Sequence, residues 1–182
     1  AGKHVYAEWP LGKTTEEAIE LAALAKEKGV RVIVGLQARA APSILHMKQL
    51  VEDGYVGEML SCSMRLIRGG VLERVSGRTW QRDVELGANT LTIAAGHSID
   101  ALRFVAGDFG EVSAVISTQV DQWYETDTQE MRDVTSPDNI LVNGRLANGA
   151  VVSVHVAVNP WAGTGERVRV AVVNQIIREN SR

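Results

Sequence analysis

A single cysteine, Cys62, stands in 182 residues. Within one chain this excludes a disulfide framework and a thiolate zinc site. There is no surplus of positive charge: 19 Lys+Arg face 22 Asp+Glu, a formal charge of −3. A dedicated nucleic-acid binder needs cations to neutralise phosphates, so no nucleic-acid partner is expected. The longest apolar runs fall far short of a membrane span, and no charged-then-apolar signal peptide opens the chain. These absences predict a soluble, cytoplasmic protein with no membrane partner. Internal repeats and low-complexity tracts are missing as well. So is an initial methionine: the chain opens Ala1-Gly2-Lys3-His4-Val5-Tyr6, already strand-like, which reads as a fragment of a longer protein. What is present is 45% hydrophobic and 23% charged residues. That suits one domain, or one domain and a piece of another, with a core of its own.

The patterning predicts a strand at 5–7, then a helix. Thr14 and Glu17 form a capping box, Ile19, Ala22 and Ala23 recur at helical spacing, and Gly29 stops the run. Residues 31–36 are rich in β-branched side chains and read as a buried strand. Strand, helix and strand make the crossover unit of a parallel sheet. Pro42 opens a second helix with Gly54 beyond its end. Residues 58–67 read as a strand in which Leu60, Cys62, Met64 and Leu66 alternate with more polar positions. A charged loop is expected at 69–85, a helix at 89–104 and a strand at 112–120. The polar stretch 121–137 is a long loop or an interrupted strand. Strands at 140–146 and 150–158 flank Asn148-Gly149, a strong hairpin signal. Val152, Val154, Val156 and Val158 share one face, which leaves His155 with Val151, Ser153 and Ala157 on the other. Val168, Val170 and Val172 alternate in a last strand. The fold class is α/β (α+β): the end of a βαβ unit, then a mostly antiparallel sheet with helices on one face.

Several motifs come close to known chemistry and fail on physical grounds. Residues 7–14 resemble a phosphate loop without its first glycine, but Pro10 offers no N–H to an anion and Glu8 would set a carboxylate among phosphates. Lys13 and Thr14 are better read as a helix start. No Gly-x-Gly-x-x-Gly occurs; Gly163-Thr164-Gly165 precedes a strand, not a helix. Gly96-His97-Ser98-Ile99-Asp100 misses a nucleophile elbow because Asp100 stands where glycine is required. His4, His46, His97 and His155 lack metal spacing, so no metal is expected. His97 is the histidine that carries weight, since Asp100 lies three residues on along the same side of the helix. It reads either as structural or as a base oriented by Asp100.

The segment Gly2-Lys3-His4-Val5-Tyr6-Ala7-Glu8-Trp9-Pro10-Leu11 resembles the Glu-Lys-Pro segment of the glucose–fructose oxidoreductase and inositol dehydrogenase family (Gfo/Idh/MocA). Gln37-Ala38-Arg39, Gly54-Tyr55-Val56-Gly57-Glu58 and Gly96-His97-Ser98-Ile99-Asp100-Ala101-Leu102 resemble that family too. The resemblance runs from Gly2 to about residue 159. It implies that residues 1–40 are the remnant of a dinucleotide-binding domain and that 41–182 are the substrate and dimerisation domain. The family's usual lysine is Trp9 here, and its common aspartate, four residues before the histidine, is Ile93. Trp9 together with residues 86–93 looks like the branch that contains the galactose-regulon repressor.

The resemblance implies an NAD(P)-dependent oxidoreductase acting on a sugar or polyol, with an atypical site. The alternative it implies is a non-catalytic dinucleotide- or sugar-sensing regulator. It assigns catalysis to His97 and Asp100, cofactor contact to Glu8, Trp9, Pro10 and Gln37, and substrate contact to Arg39, Trp80 and His97. NAD or NADP is expected in the full-length protein. No tight binding to this chain alone is expected, because the diphosphate site belongs to a glycine loop upstream. A homodimer or higher oligomer through the C-terminal sheet is implied as well. Tryptophan cannot replace lysine as a base, because its indole N–H only donates. It can instead offer an aromatic platform.

Overall fold

The computed structural model describes residues 2–69, 72–158 and, for the backbone alone, 165–169. β1 (Val5–Glu8) and β2 (Val32–Gly35) pair in parallel, with Val5 opposite Val32, and α1 (Thr15–Glu27) crosses between them. The predicted cap forms: Thr14 Oγ1 accepts from the Glu17 N–H at 3.3 Å, and Glu17 Oε2 accepts from the Lys13 N–H at 2.7 Å. The expectation of a buried strand at 31–36 fails here. Only Gly35 is buried in β2, Ile33 is 60% exposed, and α1 buries no residue. A two-stranded sheet has too little surface to cover both its own faces and a helix.

A 3₁₀ turn (Gln37–Ala40) leads into α2 (Pro42–Glu52), with proline in the first turn as expected. β3 (Ser61–Arg68) follows, then β4 (Glu73–Arg74) and 3₁₀ turns at Ser76–Arg82 and Val84–Leu86. The stretch 69–85, expected to be a charged loop, is therefore partly structured. The predicted helix at 89–104 is two pieces: a π-helical segment, Thr90–Ala95, running straight into α3 (Gly96–Ala106). Asn89 caps it by accepting from the Leu91 and Thr92 N–H groups at 3.0 and 3.3 Å, and Thr92 Oγ1 accepts from the Asn89 N–H at 2.9 Å. π-segments inside helices re-aim side chains by one residue and recur at functional sites.

The remaining strands are β5 (Phe109–Ser117), β6 (Gln122–Glu125), β7 (Glu130–Asp133), β8 (Asn139–Leu146), β9 (Val151–Val158) and β10 (Gly165–Arg169). The main sheet has the order β10-β3-β9-β8-β5. It is mostly antiparallel, with one parallel pair, β3 and β9. The Asn148-Gly149 turn forms with Gly149 at φ 91°, where glycine is favoured. β10 lies where the last strand was expected, and positions 170–172 fall outside the described residues.

The core lies between the sheet and α2, α3 and the π-segment. Val152, Val154 and Val156 are at most 1% exposed and pack with Met64, Leu66, Leu102 and Ile140. Burying each valine contributes about 1.5–3 kcal/mol. On the other face Val151 is half exposed and His155 is half-buried, while Ala157 is buried. The polar stretch 121–137 resolves into the β6–β7 hairpin. With β4 it forms a small sheet of order β4-β6-β7, packed on its own cluster of Trp123, Val134 and Val158.

Candidate functional site

A cleft of about 630 Å³ opens between the 3₁₀ turn after β2, α2, β3 and the face of the π-segment and α3 that carries Ile93, Ala94, His97, Ser98 and Ala101. The size suits a small ligand. Its floor is apolar, formed by Met64 and Leu66 of β3. Its polar groups include His97, Gln37, Arg68 and Ser98. The His97 ring is half-buried and makes no hydrogen bond among the described residues. Ile93, one turn before it, lines the same cleft and brings no carboxylate there.

Asp100 does not orient His97, which corrects the expectation from their spacing. Its carboxylate is taken by Arg39: Nε donates to Oδ2 at 2.9 Å and Nη2 to Oδ1 at 2.5 Å. The physical reason is burial. Asp100 is 8% exposed and needs a full partner, which the 3₁₀ turn supplies as a two-pronged guanidinium. The hydrogen bond to Asp100 in turn raises the Arg39 pKa above its ordinary value. The Arg39 guanidinium also lies 5.4 Å from the centroid of the Phe104 ring. The pair ties the turn after β2 to α3, on the flank of the cleft.

Trp9 stands just after β1, and the Trp9–Pro10 peptide is cis. Its Nε1 donates to the Thr92 carbonyl at 2.7 Å. The indole edge lies against Gly96, where any Cβ would overlap Nε1. The N–H that could have met a ligand is therefore spent on the π-segment. Trp9 and Pro10 line a neighbouring hollow of about 540 Å³, on the α1 side of α3. Glu8 is exposed at the end of β1, and Gln37, beyond the end of β2, is exposed in the His97 cleft. Trp80, 45% exposed on its 3₁₀ turn, is not brought into that cleft.

The structure adds Arg68, which the sequence did not single out, and Ser98, which the sequence raised only as the serine of a failed nucleophile elbow. Arg68 ends β3, and nothing in its pattern distinguished it from a solvated strand end. Ser98 left one signal, a hydroxyl in the otherwise apolar stripe Ala94, Ala101, Val105. Ser98 is 3% exposed, and its Oγ has no partner among the described residues. Among the described residues no cluster of three His, Cys, Asp or Glu could hold a metal, and no helix is long and apolar enough to cross a membrane.

Residues 42–168 match the family described as Gal80p, C-terminal domain. The chain belongs to this Gal80-like branch of the Gfo/Idh/MocA family. The chain is 32% identical to dehydrogenase aclE of Aspergillus oryzae over 92% of its length and 49% of that protein. The crystal structure of the transcriptional regulator Gal80p from Kluyveromyces lactis superposes with a TM-score of 0.77 at 29% identity, covering 86% of this chain and 40% of that one. Levoglucosan dehydrogenase, in complex with NADH and levoglucosan, gives 0.74 at 29% identity over 86% of this chain and 41% of that one. The chain thus spans about half the length of these relatives or less. Dehydrogenases and regulators share its fold, and relatives on the dehydrogenase side bind NADH and sugars.

Proposed function

We propose that this chain is the substrate-binding part of a cytoplasmic NAD(P)-dependent oxidoreductase acting on a sugar or polyol, with His97 as proton acceptor. Residues 1–40 are the end of its dinucleotide unit and 41–182 its substrate domain. The observation that carries the reading is the His97 ring: half-buried in a ligand-sized cleft and free of any partner among the described residues. Oxidising a carbinol requires removal of a hydroxyl proton by a base within hydrogen-bond reach. Neutral imidazole can accept it. Trp9 cannot, and its N–H is already bound to Thr92.

The nicotinamide end of NAD or NADP suits the carboxyl ends of β1 and β2, where parallel sheets bind ligands. Glu8, Trp9, Pro10 and Gln37 stand there, and Gln37 has an exposed amide with no partner among the described residues. When bound, the cofactor supplies the hydride acceptor. Gln37 then orients a ligand in the cleft, Arg39 holds the 3₁₀ turn on α3 through Asp100, and Trp9 keeps the end of β1 against Gly96. A dimer through the uncovered face of the main sheet completes the proposal.

One observation favours a second reading, a non-catalytic sugar- or dinucleotide-sensing regulator. The place of a lysine is filled by an indole locked to Thr92 and Gly96, and Ile93 offers no acid. His97→Ala separates the two in the full-length protein. An oxidoreductase loses about 10²–10⁴ in kcat with its fold intact. A sensor has no turnover to lose and binds its ligand more weakly. A lowered Tm with both properties unchanged overturns either reading. Turnover gained by Trp9→Lys would mark a disabled dehydrogenase scaffold.

A further inference from the structure

Thr92 stands in the π-segment without its α-helical donor. In an α-helix its carbonyl would accept from the N–H four residues on, which belongs to Gly96. Here the Gly96 N–H donates to the Leu91 and Ile93 carbonyls instead. The Thr92 carbonyl accepts from the Trp9 indole N–H at 2.7 Å. The half-buried ring that brings this donor fills the space beside Gly96 that a Cβ would occupy. Both contacts come from the side of the helix that Leu91, Thr92, Gly96 and Ile99 turn toward the Trp9 hollow. Ile93, His97 and Ser98 line the cleft on the other side. Trp9 grips the helix from behind, at the junction next to His97.

Two bonding patterns compete at that junction. With the indole in place, the Thr92 carbonyl is occupied from outside the helix and the wider turn persists. Without it, the same carbonyl can accept from Gly96 in the α-helical pattern, which takes the extra residue out of the turn; one residue is worth roughly 100° of rotation. Both ends of the stretch are held. Asn89 caps its start through the Leu91 and Thr92 N–H groups, and buried Leu102, Val105 and Ala106 anchor α3. The adjustment falls on the residues between, and His97 is among them.

We propose that Trp9 is a positioning residue for His97: by holding the Thr92 carbonyl, its indole N–H keeps the π-register that presents the imidazole to the cleft. The inference rests on reading His97 as the functional group of that cleft and adds what aims it. One hydrogen bond then links the end of β1 to the wall of the cleft.

Two changes at position 9 test this. Trp9→Phe keeps an aromatic ring beside Gly96 and removes the donor. Benzothienylalanine keeps the shape of the indole and puts sulfur in place of the N–H. Crystal structures of both variant chains should show the Gly96 N–H on the Thr92 carbonyl. The ring signals of His97 in NMR spectra should move, while those of His46 on α2 stay. In the full-length protein, Trp9→Phe should lower kcat by about 10–10²-fold, the effect of a misplaced base. It should cost nothing further on the His97→Ala background, because a residue that acts through His97 has nothing left to position. A Gly96 N–H still on Leu91 and Ile93 with unmoved His97 signals overturns the inference, whatever the Tm. So does a Trp9→Phe penalty that adds in full to that of His97→Ala. If Trp9→Phe does not fold, the benzothienylalanine chain decides alone. His97→Ala without effect on turnover or ligand binding sinks the reading of the cleft instead, and the register in the variant chains still decides this inference.

Discussion

Gly96 shows how one missing side chain decides a neighbour's place. It stands where π-segment becomes α-helix, and the Trp9 indole occupies the space of its absent Cβ. Gly96→Ala should gain helix propensity and still lose about 1–3 kcal/mol, because overpacking displaces the indole from Thr92. The urea midpoint checks the sign, and a shifted indole N–H signal for Trp9 checks the cause. Arg39 is the second decisive residue. Arg39→Met strands a buried carboxylate and should cost about 1–3 kcal/mol, the lower part of that range applying because the guanidinium is partly solvated. That lowers Tm by roughly 2–4 °C per kcal/mol in a chain of this size. Asp100→Asn on the Arg39→Met background should recover part of the loss, since the charge to be stranded is gone. Spacing alone paired Asp100 with His97; only the position of the 3₁₀ turn showed that arginine takes it.

Among the elements, the β6–β7 hairpin carries an acid that makes its stability pH-dependent. Glu125 is buried, and Thr79, Thr128 and then Arg132 hold its carboxyl below the ordinary carboxylate range. A depressed folded pKa means the stabilisation is fully present above the unfolded value, about 4.3, and is lost as pH falls through the folded one. Urea midpoints measured from pH 6 down to pH 3 should therefore fall toward the acid end, and Glu125→Gln should flatten that fall. Periodicity missed this hairpin because its strands have four residues each and pack on Trp123 rather than on the main core. The π-segment was equally invisible, since its apolar spacing over six residues differs little from that of an α-helix. Asn89→Ala removes the acceptor for two backbone N–H groups and should cost about 1 kcal/mol, with faster amide exchange at 91 and 92 as the local readout.

At the scale of the molecule, the helices cover one face of the main sheet, and among the described residues nothing covers the other. On the open face Val115, Leu141 and His155 lie side by side across β5, β8 and β9, and Val151 is 51% exposed nearby. The proposed self-association predicts that Val115→Asp or Leu141→Asp shifts sedimentation toward monomer without lowering Tm, because neither side chain is in the core. A wild-type monomer at high concentration would count against it.

The alternation of β9, the Asn148-Gly149 turn and the Thr14 cap were determined by local chemistry, and the chain itself displays them. Period, turn conformation and capping act within a few residues of their cause. The family was legible too, in short motifs that hold their order along the chain. Three things waited for tertiary structure: the partner of Asp100, the docking of Trp9 on Thr92, and the meeting of Arg68, Ser98, Gln37 and His97 around one cleft. Each joins residues far apart in sequence, and a buried charge or donor takes whichever partner the packing brings within reach, which no spacing rule encodes.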